Sequence, residues 1–306
     1  MGTVVISVDA ELGWGFHHLD APPGERVLAA RDAWLELLAL FDEFRAPATW
    51  AVVGHLLLDR CSDHHTDHPA GERCCEVGSS VAAAEELWYG NGLVDAVRDA
   101  GVAHELASHG FTHVHFRHER MSRSFASAEL RASLDAAVQR GVRPTSFVFP
   151  VNEVAHRDLL ATYGFECYRG ARPTGGLADR YAPRVGKALA AATNRGTPPI
   201  VRPTTDEHGL VNLPASCYLF GLDGPLRRAV EPVHGDPVVA RVRRGLDRLA
   251  EDEEVLHLWL HPHNLREQRD LDRVRAVLAA VDRARERDGV RVETMHEVAS
   301  RAKVVR

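Results

Sequence analysis

Short apolar runs alternate along this chain with longer segments whose apolar positions recur at helical spacing. Val4, Val5, Ile6 and Val8 predict a first strand. Val27, Leu28, Trp34, Leu35, Leu38 and Phe41 predict a helix over residues 24–44, stopped by Pro47. Strands follow at 48–53, 104–107, 146–149, 165–168, 209–213, 255–260 and 290–292. Helices are predicted at 93–100, 127–140, 156–163, 236–251 and 271–287, with Gly101, Gly141 and Gly164 as end signals. Such alternation favours parallel strands joined by crossover helices, hence a barrel or an open α/β sheet. The pattern weakens between 171 and 203, where Pro and Gly become frequent. One domain of 306 residues is expected, with loop insertions at about 55–90 and 171–235.

Composition narrows the function classes. Hydrophobic residues make up 45% and charged residues 26%, as in a globular protein with a sizeable core. A net charge of -6 and the lack of a basic run interleaved with aromatics argue against a nucleic-acid partner. No apolar stretch approaches the roughly 18 residues of a membrane span. The first residues lack the order of a secretory signal, and five irregularly spaced cysteines read as reduced thiols, so a cytoplasmic protein is expected. Neither a Walker loop, a dinucleotide glycine fingerprint nor a Gly-x-Ser-x-Gly elbow is present.

The chemistry gathers at strand ends. Asp9 and Glu11 close the first strand and, two residues apart, face the same side of an extended backbone. His109 and His113 follow the strand at 104–107, four residues apart. His261-Pro262-His263-Asn264 follows the strand at 255–260. Imidazole is the commonest neutral metal ligand, so carboxylates, paired histidines and a further histidine suggest a hydrolytic metal site. His104-Glu105 and His109 are one residue too widely spaced for a His-Glu-x-x-His helix. His257, inside an apolar strand, reads as a core histidine. Trp14, Trp88, Tyr89 and His55 are candidate rim residues. Cys61, His64, His65, His68, Cys74 and Cys75 could hold structural zinc, or form a polar loop over the site.

The order Ser7-Val8-Asp9-Ala10-Glu11, His109 with His113, Phe147-Val148-Phe149-Pro150 and Leu260-His261 resembles the motif series of the polysaccharide deacetylases of the NodB-homology type (carbohydrate esterase family four). The resemblance implies a distorted (β/α) barrel that binds one divalent cation, zinc with cobalt or nickel as alternatives, through an Asp-His-His set. Here that set is Asp9, His109 and His113. It also implies removal of an N- or O-acetyl group, with His261 as general acid and Asp9 or Glu11 as base. Ala10 replaces the family's second aspartate, so either Asp9 coordinates the metal or Glu11 reaches in, unless Glu11 merely caps the next helix. The family's third-motif arginine is absent from residues 147–152; Arg169 could supply the charge or be an ordinary loop cation. Trp14, Asn152 and His263 are the substrate-binding candidates. The expected substrate is a small acylated sugar or metabolite, and the protein could be an oligomer. Hydrolysis of a non-sugar or cyclic amide, or a non-catalytic carbohydrate-binding role, are the alternatives.

Overall fold

The first strand sets the architecture. In the computed structural model, which describes residues 1–19, 22–59, 85–117, 119, 121–172, 197–221, 231, 235–249 and 254–304, β1 (Thr3–Ala10) is buried along its whole length. Burial on both faces is what a central parallel strand requires, and it explains why the run is almost continuously apolar. The remaining strands are β2 (Thr49–Val52), β3 (Glu105–Ser108), β4 (Ser146–Val148), β5 (Cys167–Arg169), β6 (Thr204–Thr205), β7 (Val211–Asn212), β8 (Cys217–Tyr218), β9 (Val255–Leu260) and β10 (Arg291–Val292). Their order is β6-β7-β5-β4-β3-β2-β1-β9-β8, with β10 paired to the start of β1. Every pairing between these strands is parallel except β6 with β7. The curled sheet, with its crossover helices, is a distorted (β/α) barrel.

Among the described residues the α-helices are α1 (Gly24–Glu43), α2 (Glu85–Trp88), α3 (Asn91–Arg98), α4 (Arg123–Gln139), α5 (Arg157–Thr162), α6 (Pro237–Leu246), α7 (Gln268–Asp288) and α8 (Met295–Val304). Periodicity places them well, and the caps refine their ends. Ser122 accepts from the Phe125 amide at 3.2 Å, so α4 begins earlier than its apolar pattern suggests. Asp236 accepts from Val238 and Val239 at 2.8 and 3.3 Å and starts α6, which ends at Leu246 rather than near 251. Strands β6 and β8 and helices α2 and α8 were not anticipated. Two-residue strands are too short to show a period. No described helix is long and apolar enough to cross a membrane.

Alternation along β1 divides the core in two. Val4, Ile6, Val8 and Ala10 pack under the helices with Trp34, Phe41 and Trp50. Val5 faces the barrel interior with Ala51, Ala107, Val148, Cys167 and Val255, closed by Met295, Val298 and Ala299 of α8. Ser7 and Asp9 continue the Val5 face. The interior is therefore apolar at the N-terminal ends of the strands and polar at their C-terminal ends, where parallel α/β folds carry their sites. The cysteine- and histidine-rich run of residues 61–75 lies outside the described residues. So does most of the stretch at 171–235.

Candidate active site

Strand register brings the distant motifs to one level. Ala10 pairs with Val52 and Val52 with Ser108, so Glu11 and His109 leave the ends of β1 and β3 at one level, on either side of β2. Val8 pairs with Leu260, which puts His261 beside Asp9. Val148 pairs with Arg169 across the next ladder. Four segments that span most of the chain thus deliver their polar residues to one point.

Glu11 is the centre of that point. Its Oε1 lies 3.2 Å from His109 Nε2, 3.1 Å from His113 Nε2 and 3.3 Å from His261 Nε2. Glu11, His109 and His113 are all buried, and their ligand atoms lie close enough to share an ion. Gly15 makes room for this carboxylate, since a Cβ there would lie 2.1 Å from Glu11 Oε2. Glu11 is not a helix-capping residue: its side chain makes no cap hydrogen bond to the 3-10 turn Leu12–Phe16.

The histidines are preset. His109 Nδ1 lies 2.7 Å from the Val148 carbonyl, which can only accept, so Nδ1 carries a proton and the ring is fixed with Nε2 toward Glu11. The loop bearing His113 is held by Glu129 of α4, which accepts from the Phe111 and Thr112 amides at 2.8 and 3.1 Å and from the Thr112 hydroxyl. Gly110 has φ +77°, with Glu129 Oε2 at 3.2 Å from where its Cβ would stand, so glycine is required there. His113 itself is left-handed at φ +59°, a conformation that the surrounding contacts must hold.

Asp9 is differently placed. Arg169 Nη1 donates to its Oδ1 and Nη2 to its Oδ2, both at 2.6 Å, a bidentate fork. Arg169 is fully buried, and its Nε donates to Asn152 Oδ1 at 3.1 Å. Burial pushes the Asp9 carboxyl up, but the guanidinium charge and hydrogen bonds outweigh it and hold Asp9 below the usual range. Burial likewise opposes ionisation of Glu11, yet the surrounding imidazoles bring it well below its ordinary value. His261 is the converse: burial lowers it, while Glu11 and Asp9 together raise it above the ordinary value.

These positions correct several expectations. The carboxylate facing the paired histidines is Glu11 rather than Asp9, because both Asp9 oxygens are engaged by Arg169. Arg169 is a buried partner of Asp9 and not a loop cation; it ends a strand, and only the sheet order reveals what it faces. Asn152 orients Arg169 through its carbonyl oxygen. Trp14 is a core residue, 2% exposed, with its indole N–H donating to the Trp88 carbonyl at 2.9 Å. His263 is buried and stacked on His261, with centroids 4.6 Å apart, and burial pushes it down to about 3. His257 is a core histidine, bonded to Ser7 and Leu213. Tyr218, absent from the sequence reading, places its hydroxyl 2.8 Å from Asn264 Oδ1 and 3.3 Å from His261 Nδ1.

The donor set suits a divalent ion. In tetrahedral coordination with bonds of about 2.0–2.1 Å, ligand atoms stand roughly 3.3 Å apart. The Glu11–His109 and Glu11–His113 separations match that spacing, and two imidazoles with one carboxylate are a set of three donors that could hold such an ion.

No protein-family model matches this sequence, and no curated protein does. Solved structures do. A protein from Mycobacterium smegmatis described as a "putative polysaccharide deacetylase" superposes over 99% of this chain and 90% of its own, with TM-score 0.62 and 18% identity. An allantoinase superposes over 97% of this chain and 89% of its own, with TM-score 0.53 and 15% identity. A "probable polysaccharide deacetylase" from Pseudomonas aeruginosa PAO1 gives the same coverage, score and identity. At such identities the likeness is one of fold. The motif resemblance and the superpositions agree on the architecture: the chain carries the distorted (β/α) barrel seen in these polysaccharide deacetylase structures.

Proposed function

We propose that the protein is a metal-dependent deacetylase acting on an N- or O-acetylated sugar or small acylated metabolite, with Glu11, His109 and His113 holding the ion. The observation that carries the reading is the meeting, at one cluster of strand ends, of a three-ligand set, an arginine-held carboxylate and a histidine. Bound there, a divalent ion would polarise an acyl carbonyl and bring the pKa of a water down toward neutrality. Asp9, held ionised by Arg169, takes the proton of the attacking water. His261 donates a proton to the departing amine or alkoxide. Its Nε2 lies 3.6 Å from Asp9, whose charge favours the protonated form that an acid needs. Zinc is the first expectation for such a set, with cobalt and nickel acceptable to the same donors.

The allantoinase likeness supports a second reading, hydrolysis of a cyclic amide by the same groups. One experiment addresses both: acetate release from acetylated amino sugars and ring opening of cyclic ureides, each alongside the metal content of the purified protein. The wild type should carry about one equivalent of ion and release acetate. Glu11→Gln should lose the ion, whereas Asp9→Asn should keep it and lose turnover by about 10²–10⁴-fold. Full metal in Glu11→Gln would remove the ligand assignment, and ring opening without acetate release would favour the cyclic amide.

A further inference from the structure

Behind the fork that grips Asp9 runs a line of buried polar groups that the proposed chemistry does not use. Arg169 Nη1, besides its bond to Asp9, donates to Ser7 Oγ at 3.0 Å. Ser7 Oγ lies 2.9 Å from His257 Nε2. His257 Nδ1 lies 3.2 Å from the Leu213 carbonyl, and the His257 backbone N–H donates to Ser216 Oγ at 3.0 Å. Ser7, Arg169, Ser216 and His257 are all fully buried. The line crosses from β5 through β1 to β9.

Chemistry fixes the direction of each bond. The Leu213 carbonyl can only accept, so His257 Nδ1 carries the ring proton and Nε2 is an acceptor. A guanidinium has no acceptor, so Ser7 Oγ accepts from Arg169 and turns its own hydrogen to His257 Nε2. Burial pushes His257 down to about 3, so the ring stays neutral and the polarity of the line persists through the neutral range. Without the imidazole, the Ser7 hydrogen could rotate toward the guanidinium and the lone pair away from it.

We infer that Ser7 and His257 are positioning residues for the proposed reaction, fixing the Arg169 guanidinium and, through it, the orientation of Asp9. Two bonds to Asp9 leave the planar fork able to swing with the carboxylate. The contacts of Nε with Asn152 and of Nη1 with Ser7 anchor it to the barrel wall from two further sides. Ser7 suits the task because it stands two residues before Asp9 on the same face of β1, so one strand carries both the base and the anchor of its partner. The inference rests on the reading of Asp9 as base. It also accounts for an imidazole buried in an apolar strand, where burial is costly unless the ring is bonded at both nitrogens.

The test compares Ser7→Ala, Ser7→Thr and Ser216→Ala in the full-length metal-loaded protein. Ser7→Ala should lower kcat by about tenfold with KM and metal content unchanged, and Ser7→Thr, which keeps the hydroxyl, should recover most of it. Ser216→Ala removes a bond of similar burial from the backbone of His257 without breaking the line, and should leave kcat near the wild-type value. Guanidinium NMR reads the same claim without substrate: the Arg169 Nη protons should be resolved in the wild type and merge by faster rotation in Ser7→Ala. An unchanged kcat with unchanged Arg169 resonances in Ser7→Ala, or an equal loss in Ser216→Ala, overturns the inference. A wild type that hydrolyses nothing in the panel would sink the deacetylase reading alone, and the Arg169 resonances would still decide whether Ser7 anchors the guanidinium.

Discussion

At the residue scale, two carboxylates two positions apart acquire different work from their neighbours alone. Asp9 is held by a buried arginine, Glu11 by imidazoles, and exchanging those partners would exchange the roles. The Asp9–Arg169 pair also has a stability consequence. A buried ion pair adds little net stability, yet removing one partner strands a charge out of water. Arg169→Met should therefore destabilise the protein by about 3–5 kcal/mol in urea unfolding, and Asp9→Asn added to it should restore part of the loss. An additive double variant would show that the two side chains do not depend on each other. The sequence made His109, His113 and His261 legible because strand-end histidines at these spacings have a recognisable chemistry. It left Arg169 open between a partner of the site and a loop cation, since a lone arginine after a short apolar run looks like any surface cation. The division between Asp9 and Glu11 was hidden for the same reason: same-face spacing says that both point inward, and only the partner across the barrel separates them.

At the element scale, the strands bring the residues to one level and the loops aim them. The segment from His109 to His113 leaves β3 and turns through two positive-φ residues, Gly110 and His113. Glu129, one turn and more into α4, ties that turn by accepting two backbone amides and a hydroxyl. Hydrogen bonds to an ionised group contribute about 1.5–3 kcal/mol each, roughly twice a neutral one. Glu129→Gln should then weaken metal affinity by about 10–100-fold, as loss of an orienting partner usually does, while the far-ultraviolet signature of the helix is kept. Metal titration of the variant decides the matter, and wild-type affinity would show that the loop holds its own shape. Periodicity made α1, α4 and α7 legible because each is long and has a dominant apolar face. It could not show Glu129 as anything but a solvated helix residue, because its partners are backbone amides of another element. Strands β6 and β8 escaped because their two residues carry no pattern, whereas the equally short β7 and β10 lie within longer apolar runs, and α8 escaped because its apolar face is completed only by the barrel bottom that it closes.

At the scale of the whole molecule, an α/β barrel with its interior apolar at one end and polar at the other has to bury titratable groups, and that makes its stability depend on pH. His257 is fully buried and bonded at both nitrogens, with its pKa pushed from 6.5 down to about 3 by burial first and by Arg169 second. His104, part-buried against Phe41 and Trp50, is pushed down to about 4, again by burial. The sign follows from linkage. Between pH 6.5 and these lowered values the unfolded chain binds protons that the folded protein refuses, so unfolding becomes more favourable as pH falls. The stability these neutral rings contribute is fully present above about pH 6.5 and is lost progressively below it. For His257 the loss is roughly 1.4 kcal/mol per pH unit once the unfolded imidazole is charged; His104, being part-exposed, adds less. His261, raised above its ordinary value by Glu11 and Asp9, acts in the opposite sense, so the wild-type curve alone cannot isolate His257. Comparing wild type with His257→Asn in urea unfolding at pH 7.5, 6.0 and 5.0, with chelator present to remove metal linkage, isolates it. The stability gap between the two proteins should narrow as pH falls, because the variant has no imidazole to protonate on unfolding. A gap constant from pH 7.5 to 5.0 would mean that folded His257 takes up its proton as readily as the unfolded chain does, which its burial and its paired nitrogens forbid.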